Sequence, residues 1–125
     1  VAGHLAAGLC PESCGSPTES WMRLEVPHPI CASRRLLGTV VHVDRFGNLI
    51  TNVSAAVLGP TAGWLVQLAG REIGVIRSTF ADVNEGAWIA YLGSSGELEI
   101  GVRGGNGAAR LDGPALGAEV ILWRS

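Results

Sequence analysis

Three short segments of the sequence combine polar side chains with glycines in ways that suit the binding of a small ligand. The first, Asp44-Arg45-Phe46-Gly47-Asn48, interrupts a run of valines and isoleucines that is typical of a β-strand. Phe46 would offer a face for a planar group, and the Asn48 amide, with both a donor and an acceptor, suits the edge of a nucleobase. The same segment also fits a tight corner, in which Gly47 takes an unusual φ and Asp44 and Asn48 bond the local backbone. From these residues alone, the corner is the favoured interpretation.

The other two segments are rich in glycine. Gly-Ser-Ser-Gly at 93–96 could hold a carboxylate or hydroxyl group through Ser94 and Ser95, or it could simply turn a hairpin. Arg-Gly-Gly-Asn-Gly-Ala-Ala at 103–109 would let a ligand touch the backbone. This segment lacks the Lys-Ser/Thr pair and the following helix of a phosphate-binding loop, so it does not predict phosphate binding.

The cysteines raise the question of a metal site. Cys10, Cys14, His28 and Cys31 have a C-x3-C and H-x2-C spacing that tetrahedral zinc could use. However, they lie in a Pro-rich segment, and an odd count of three cysteines is more simply explained by reduced thiols. No metal is therefore expected, and the zinc set remains the less favoured alternative.

The sequence contains no recognisable catalytic pairing. The three histidines are scattered, and neither H-E-x-x-H nor G-x-S-x-G occurs. The residues alone thus predict a small β domain with a possible ligand-binding rim and no catalytic machinery of its own.

The elements that must position these residues are short strands. Residues 1–9 resemble the end of a helix, and the Pro-rich residues 10–35 predict a linker with at most one extended piece around 21–26. After residue 36 the pattern predicts about seven short strands separated by Gly-rich turns. This is typical of an all-β fold, a small barrel or sandwich. In Glu97–Val102, alternation predicts that Leu98, Ile100 and Val102 share one face.

Composition limits the class of protein. The 125 residues suit one domain, and 47% hydrophobic with 16% charged residues allows a packed core. The net charge of −2 and the absence of a basic run predict neither nucleic acid nor an anionic membrane as partner. Without a signal peptide or a membrane-spanning stretch, a cytoplasmic location is expected. The start at Val1 rather than Met suggests a processed chain or a fragment.

Taken together and in order, three blocks carry a family resemblance. They are GTVVHVDRFGNLITNV (38–53), STFADVNEGAWIAYLGSSGELEIGV (78–102) and GNGAA (105–109). They resemble the C-terminal domain of the S-adenosylmethionine (SAM) hydroxide adenosyltransferases, a family that includes fluorinating and chlorinating relatives. The resemblance implies that residues 1–35 are a helix end and linker leaving an N-terminal α/β domain, and that residues 36–125 form the C-terminal, barrel-like domain.

The resemblance also implies a reaction. Hydroxide derived from water displaces L-methionine from the 5′ carbon of SAM and releases adenosine, with SAM as substrate and no further cofactor. In the family the nucleophile pocket belongs to the N-terminal domain, and the enzyme is typically a trimer with substrate between that domain and the C-terminal domain of a neighbouring subunit. No catalytic residue is therefore expected in this chain, which alone should be inactive.

The family's binding residues carry over onto three groups of positions. In the first block, Asn48 is expected to bond the adenine edge, Phe46 to lie beside the ligand and Asp44 to orient the loop. In the second block, the aromatic ring of Phe80 is expected to pack on adenine. Tyr91, Ser94 and Ser95 are expected to hold the methionine part. In the third, the backbone of Asn106, Gly107 and Ala108 meets adenine, with Gly107 in place of the usual Ala.

Three alternatives stay open. A halogenating relative would use the same domain, although those relatives tend to carry Arg where Ser95 stands. The chain could also be a stand-alone module that binds adenosine-like ligands, or a trimerisation domain that has lost its pocket. Glu97 stands where many relatives have Tyr, which is a departure on the methionine side.

Overall fold

The structure, a computed structural model, describes residues 1–124. Most of its regular structure is β. In chain order the helices and strands are α1 (Ala2–Ala6), β1 (Ile30–Ala32), β2 (Arg35–Val43), β3 (Leu49–Ser54), α2 (Ala55–Leu58), β4 (Trp64–Leu68), β5 (Arg71–Arg77), β6 (Trp88–Leu92), β7 (Glu97–Val102) and β8 (Glu119–Arg124). Three short 3-10 turns are present at Pro11–Cys14, Phe80–Asp82 and Ala108–Arg110.

Seven of the strands close into a barrel. The strand order is β1-β2-β3-β7-β6-β5-β4-β8, and β8 also pairs with β2, which closes the circle. Within the barrel the neighbours run antiparallel except β5 and β6, which are parallel. β1 is an additional short strand beside the first half of β2. Closure satisfies the strand edges internally, so the predicted small all-β barrel is confirmed.

The core follows the predicted alternation. In β7, Leu98, Ile100 and Val102 are at most 2% exposed and point into the barrel. Leu49 and Val53 from β3 are fully buried with them. Because neighbouring side chains of a strand point to opposite faces, Glu97, Glu99 and Gly101 belong to the outer face of β7.

Local turn chemistry explains two of the connections. Ala69 and Gly70 both have positive φ, 47° and 82°, which is the two-residue turn that matches the twist of a tight hairpin. These two residues therefore join β4 and β5 in a hairpin. After β3, the Ser54 hydroxyl accepts the Val57 N–H and caps the short helix α2.

The linker prediction is wrong in one detail. Residues 21–26 form no strand, and Trp21, Met22 and Leu24 are exposed, with nothing to pair against. The short strand is β1 instead, which folds back on β2 through a turn containing Ser33 at φ 49°. The apolar content of 21–26 suggested a strand, whereas strand formation depends on an available pairing edge. No helix among residues 1–124 is both long and apolar enough to cross a membrane.

Candidate functional site

The Asp44 carboxylate organises the connection between β2 and β3. Its Oδ1 accepts the backbone N–H groups of Phe46 and Asn48, each at 2.8 Å, and its Oδ2 accepts the Asn48 side-chain amide at 2.9 Å. Gly47 has φ 85°, a conformation that favours glycine. The favoured interpretation, a tight corner fastened by local side chains, is what the structure contains.

These hydrogen bonds control the charge of Asp44. Partial burial alone would raise the pKa of the Asp44 carboxyl, but the bonds from Asn48 and from the backbone of Phe46 and Gly47 outweigh it. The pKa therefore lies below its ordinary value, and the carboxylate persists as the pH falls.

Replacing Asp44 by Asn should lower the free energy of unfolding by about 0.5–1.5 kcal/mol at pH 7, since one acceptor oxygen and the charge are lost. Because the folded-state pKa is lowered, this stabilisation is fully present above the ordinary Asp pKa of about 4 and is lost as pH falls through the folded value. Urea unfolding of both proteins at pH 7 and near pH 2 measures the difference. An unchanged difference at the lower pH would show that the Asp44 charge plays no part.

Strand register brings Asn48 to the outer face of β7. Leu49 pairs with Ile100, so Asn48 lies one step further along, beside Gly101. A Cβ at position 101 would stand 2.5 Å from Asn48 Oδ1 and 3.3 Å from the Phe80 ring. The amide and the ring therefore meet above a residue that has no side chain. We call Asn48, Phe80 and Gly101 the Gly101 cluster.

The hydrogen-bonding capacity of Asn48 is only partly used. One N–H of its side chain goes to Asp44, which holds the amide plane in place. The amide has two N–H donors and one acceptor oxygen, so its second N–H and Oδ1 have no partner among residues 1–124 and stay available. This is the donor and acceptor pair that Asn presents to the N6 and N7 edge of adenine in nucleic-acid complexes.

Phe80 is placed by a capped 3-10 turn. The Asp82 carboxylate accepts the N–H groups of Ser78 and Thr79, each at 3.0 Å, and the Thr79 hydroxyl accepts the Ala81 N–H. This capping box ends β5 and turns Phe80 towards the outer face of the barrel. The Phe80 ring is half-buried.

Tyr91 extends the aromatic surface and is tied to a carboxylate. Its ring centre lies 4.9 Å from that of Phe80, with the planes inclined by 58°. Its hydroxyl donates to Glu99 Oε2 at 2.6 Å. Partial burial, the hydrogen bond to Glu99 and the charges of Glu99 and Asp44 together raise the pKa of the Tyr91 hydroxyl well above its usual range.

The segment 106–108 packs against the Asp44 corner. The Ala108 N–H donates to Gly47 O at 3.0 Å, and Asn106 Oδ1 accepts the Ala109 N–H at 2.8 Å. A Cβ on Gly107 would stand 3.1 Å from Gly47 O. Because the Ala108 N–H already donates to Gly47 O, a ligand that binds this backbone would have to use the other N–H and C=O groups of the segment.

The remaining predicted residues lie at exposed edges. Phe46 is 61% exposed, and the Arg45 guanidinium lies 4.6 Å from its ring centre. Ser94 and Ser95 occupy the exposed turn between β6 and β7. Glu99 connects this turn to the aromatic pair, because its carboxylate lies where a side chain on Gly93 would be.

The zinc set is not assembled. No three His, Cys, Asp or Glu side chains among residues 1–124 come close enough to share a metal ion. Cys10, Cys14 and Cys31 are exposed free thiols. A separate cavity of about 430 Å³ is lined by residues 68–71, 111–114 and Ala118, and it contains none of the predicted site residues.

Comparison with known families decides the relationship. A sequence model of the SAM hydroxide adenosyltransferase C-terminal domain matches residues 38–120, which include all three predicted groups of site residues. The chain belongs to the SAM hydroxide adenosyltransferase family. The matched residues of this chain include the Asp44 corner, the Gly101 cluster and the segment 106–108.

Individual relatives support the family assignment. A protein of Thermus thermophilus named (R)-S-adenosyl-L-methionine hydrolase is 44% identical over 108 residues, covering 85% of this chain and 39% of the relative. Among solved structures, an uncharacterised Thermotoga maritima protein has a TM-score of 0.70 at 29% identity, covering 99% of this chain and 49% of that one. A conserved hypothetical protein of Thermus thermophilus has a TM-score of 0.62 at 41% identity, with coverages of 97% and 48%. The chain thus spans half or less of the length of these relatives.

Sequence analysis does not predict two neighbours of the candidate residues Asn48, Phe80 and Tyr91. These are Glu99 and Gly101, which alternate with Leu98, Ile100 and Val102 and for which the sequence indicates no role in ligand binding. Tyr91 and Glu99 face each other across the β6–β7 hairpin. Counting outwards from a two-residue Ser94-Ser95 turn would pair Tyr91 with Leu98. The structure has a three-residue loop, 94–96, in which the Gly93 N–H donates to Glu97 O, and this register places Tyr91 opposite Glu99.

Proposed function

We propose that this domain supplies the adenine and methionine side of an intersubunit site in an enzyme that cleaves SAM with hydroxide to adenosine and L-methionine. The observation that carries the proposal is the Gly101 cluster, in a chain of this family. It places an amide with a free donor and acceptor next to an aromatic ring. The amide can hydrogen-bond to the polar edge of adenine, and the ring can pack on its face.

The Asn48 amide and the Phe80 ring divide the recognition of adenine between them. The amide reads the polar edge of the base, and the ring packs on its face. Stacking on an aromatic side chain contributes about 1–3 kcal/mol per base in single-strand binding proteins. Asp44 fixes the amide through a charge-assisted hydrogen bond, so little conformational entropy is lost when the ligand binds.

The methionine part would extend from the aromatic pair towards the β6–β7 turn. Tyr91 lies between Phe80 and that turn, and the hydroxyls of Ser94 and Ser95 are exposed there. Since the turn also offers backbone N–H groups, it suits the polar end of an amino acid.

The exposure of these residues supports a second contributing domain. Displacement at carbon requires a desolvated nucleophile held about 3–3.5 Å from the reacting atom. Phe46 is 61% exposed, and Asn48, Phe80 and Tyr91 lie at a surface open to water. A neighbouring subunit's N-terminal domain, covering this surface, would exclude water and bring the nucleophile.

A chimera tests the proposal. This chain would replace the matched segment of the Thermus thermophilus hydrolase, and SAM turnover would be followed by chromatography of adenosine. We expect adenosine from the chimera, none above background from the isolated chain, and a large loss in a chimera carrying Asn48→Ala. A folded, assembled chimera that releases no adenosine beside the active relative would contradict the proposal, as would turnover by the isolated chain at the chimera's rate.

The substrate configuration can be examined in the same assay. Because the Thermus thermophilus relative is named for (R)-S-adenosyl-L-methionine, we infer the same configuration for this chain. The chimera would be supplied with separated R and S epimers, and faster adenosine release from the R epimer is expected.

A further inference from the structure

Resting on the proposed function, we propose that Glu99 is a positioning residue for the methionine half of the ligand. By accepting a hydrogen bond from the Tyr91 hydroxyl, Glu99 leaves the Tyr91 oxygen as an acceptor and selects ligands that bring a hydrogen-bond donor to it. The chemical class selected is an amine in its ammonium form, and a bare carboxylate at the same place is disfavoured.

The geometry fixes the direction of the Tyr91 hydroxyl. Tyr91 and Glu99 are direct partners across β6 and β7, and the Oη to Oε2 distance is 2.6 Å. That distance is typical of a hydroxyl donating to a charged carboxylate. Gly93 makes room for the Glu99 carboxylate, since a side chain at 93 would overlap it. The carboxylate is therefore held on one side of the tyrosine.

The hydrogen-bonding groups of Tyr91 and Glu99 determine which ligand groups can bind at the Tyr91 oxygen. A phenol has one O–H to donate, and an ionised carboxylate only accepts. Once the Tyr91 proton is committed to Glu99, the remaining lone pair of Oη can only accept. A ligand group that reaches Oη must then supply an N–H or O–H, and the Glu99 and Asp44 charges favour a cationic one.

The protonation state agrees with this direction. Burial and the two carboxylates raise the pKa of Tyr91 above its usual range, so the hydroxyl keeps its proton throughout the ordinary pH range. The pair is therefore a neutral phenol hydrogen-bonded to a carboxylate, and not a phenolate.

A double-mutant cycle tests whether Glu99 acts through Tyr91. SAM and adenosine would be titrated calorimetrically into the wild-type chain and the variants Glu99→Gln, Tyr91→Phe and the double variant. Glu72→Gln, at an exposed position of β5, is the matched control. We expect Glu99→Gln to weaken SAM about tenfold, the scale of one charge-assisted hydrogen bond, and adenosine less than about twofold. In the Tyr91→Phe background, the effect of Glu99→Gln on SAM should shrink to the part that the Glu99 charge contributes without the Tyr91 hydroxyl.

A spectroscopic titration reports on the contact without any ligand. Tyr91 is the only tyrosine of the chain, so the ultraviolet absorbance of tyrosinate follows this residue alone. In Glu99→Gln the phenol should ionise at a lower pH than in wild type, whereas Glu72→Gln should leave its titration unchanged. Circular dichroism spectra would confirm that each variant is folded.

The outcomes separate the two proposals. Equal weakening of SAM and adenosine in Glu99→Gln, or an undiminished effect in the Tyr91→Phe background, would overturn the positioning role while leaving the proposed function standing. An unchanged tyrosine titration would overturn it as well. If the wild-type chain and the chimera both failed to bind either ligand, the proposed function would fall, and with it the selectivity assigned to Glu99.

Discussion

Replacing Asn48 by alanine is expected to weaken adenosine binding about 10- to 100-fold. The amide is the only group of the Gly101 cluster that offers both a donor and an acceptor, and a two-bond contact to a base contributes about 1–3 kcal/mol. The Asp44 corner should survive, because its two backbone hydrogen bonds and Gly47 are untouched. Calorimetric titration with adenosine measures the change.

The control for this variant is Asn84→Ala. Asn84 is an exposed asparagine in the loop before β6, and it contributes only its carbonyl to a backbone hydrogen bond there. Its replacement should leave adenosine affinity within about twofold, less than one neutral hydrogen bond. Equal affinities of wild type and Asn48→Ala for adenosine would show that the Asn48 amide does not recognise adenine.

Replacing Gly101 by alanine is expected to abolish detectable adenosine binding while the barrel still folds. The added methyl would stand 2.5 Å from Asn48 Oδ1 and 3.3 Å from the Phe80 ring. The ring and the amide must then move apart, so the edge and face contacts are lost together, a loss of about 100-fold or more. Both side chains are on the outer face of the barrel, so the interior packing stays as it is.

Thermal unfolding and binding must be measured on the same Gly101→Ala sample. Gly3→Ala adds a methyl group that would meet no atom within 4 Å beyond the backbone of its own helix and its chain neighbours, and it serves as the control substitution. A folded Gly101→Ala protein with wild-type affinity would contradict the placement of the ligand beside this residue. A crystal structure of that variant would show whether Asn48 or Phe80 is the side chain that yields.

Local sequence patterns predicted the parts of the fold that depend on neighbours in the chain. Alternation predicted that Leu98, Ile100 and Val102 share one face, and all three lie in the core. The Asp44 corner was predictable because Asp, Gly and Asn each have a known preference in tight turns. These features require only a few consecutive residues.

The remaining features of the fold and of the candidate site depend on strand pairing between residues that are far apart in the sequence, so local patterns could not predict them. The parallel contact of β5 with β6, and the β3–β7 register that brings Asn48 to Gly101, join residues distant in sequence. No local pattern encodes such a register. The expected roles of Phe80 and Tyr91 therefore rest on the family resemblance, because the spacing of residues alone does not distinguish a ligand-binding role from a structural one for either residue.

An NMR titration of the isotope-labelled chain with adenosine tests most directly whether this domain carries an adenine half-site. We expect chemical-shift changes concentrated at the Asn48 side-chain amide, Gly101, Phe80 and the backbone of 106–108, even at millimolar affinity. No shift at saturating adenosine, or shifts confined to the cavity lined by residues 68–71 and 111–114, would contradict the assignment of an adenine half-site to this domain.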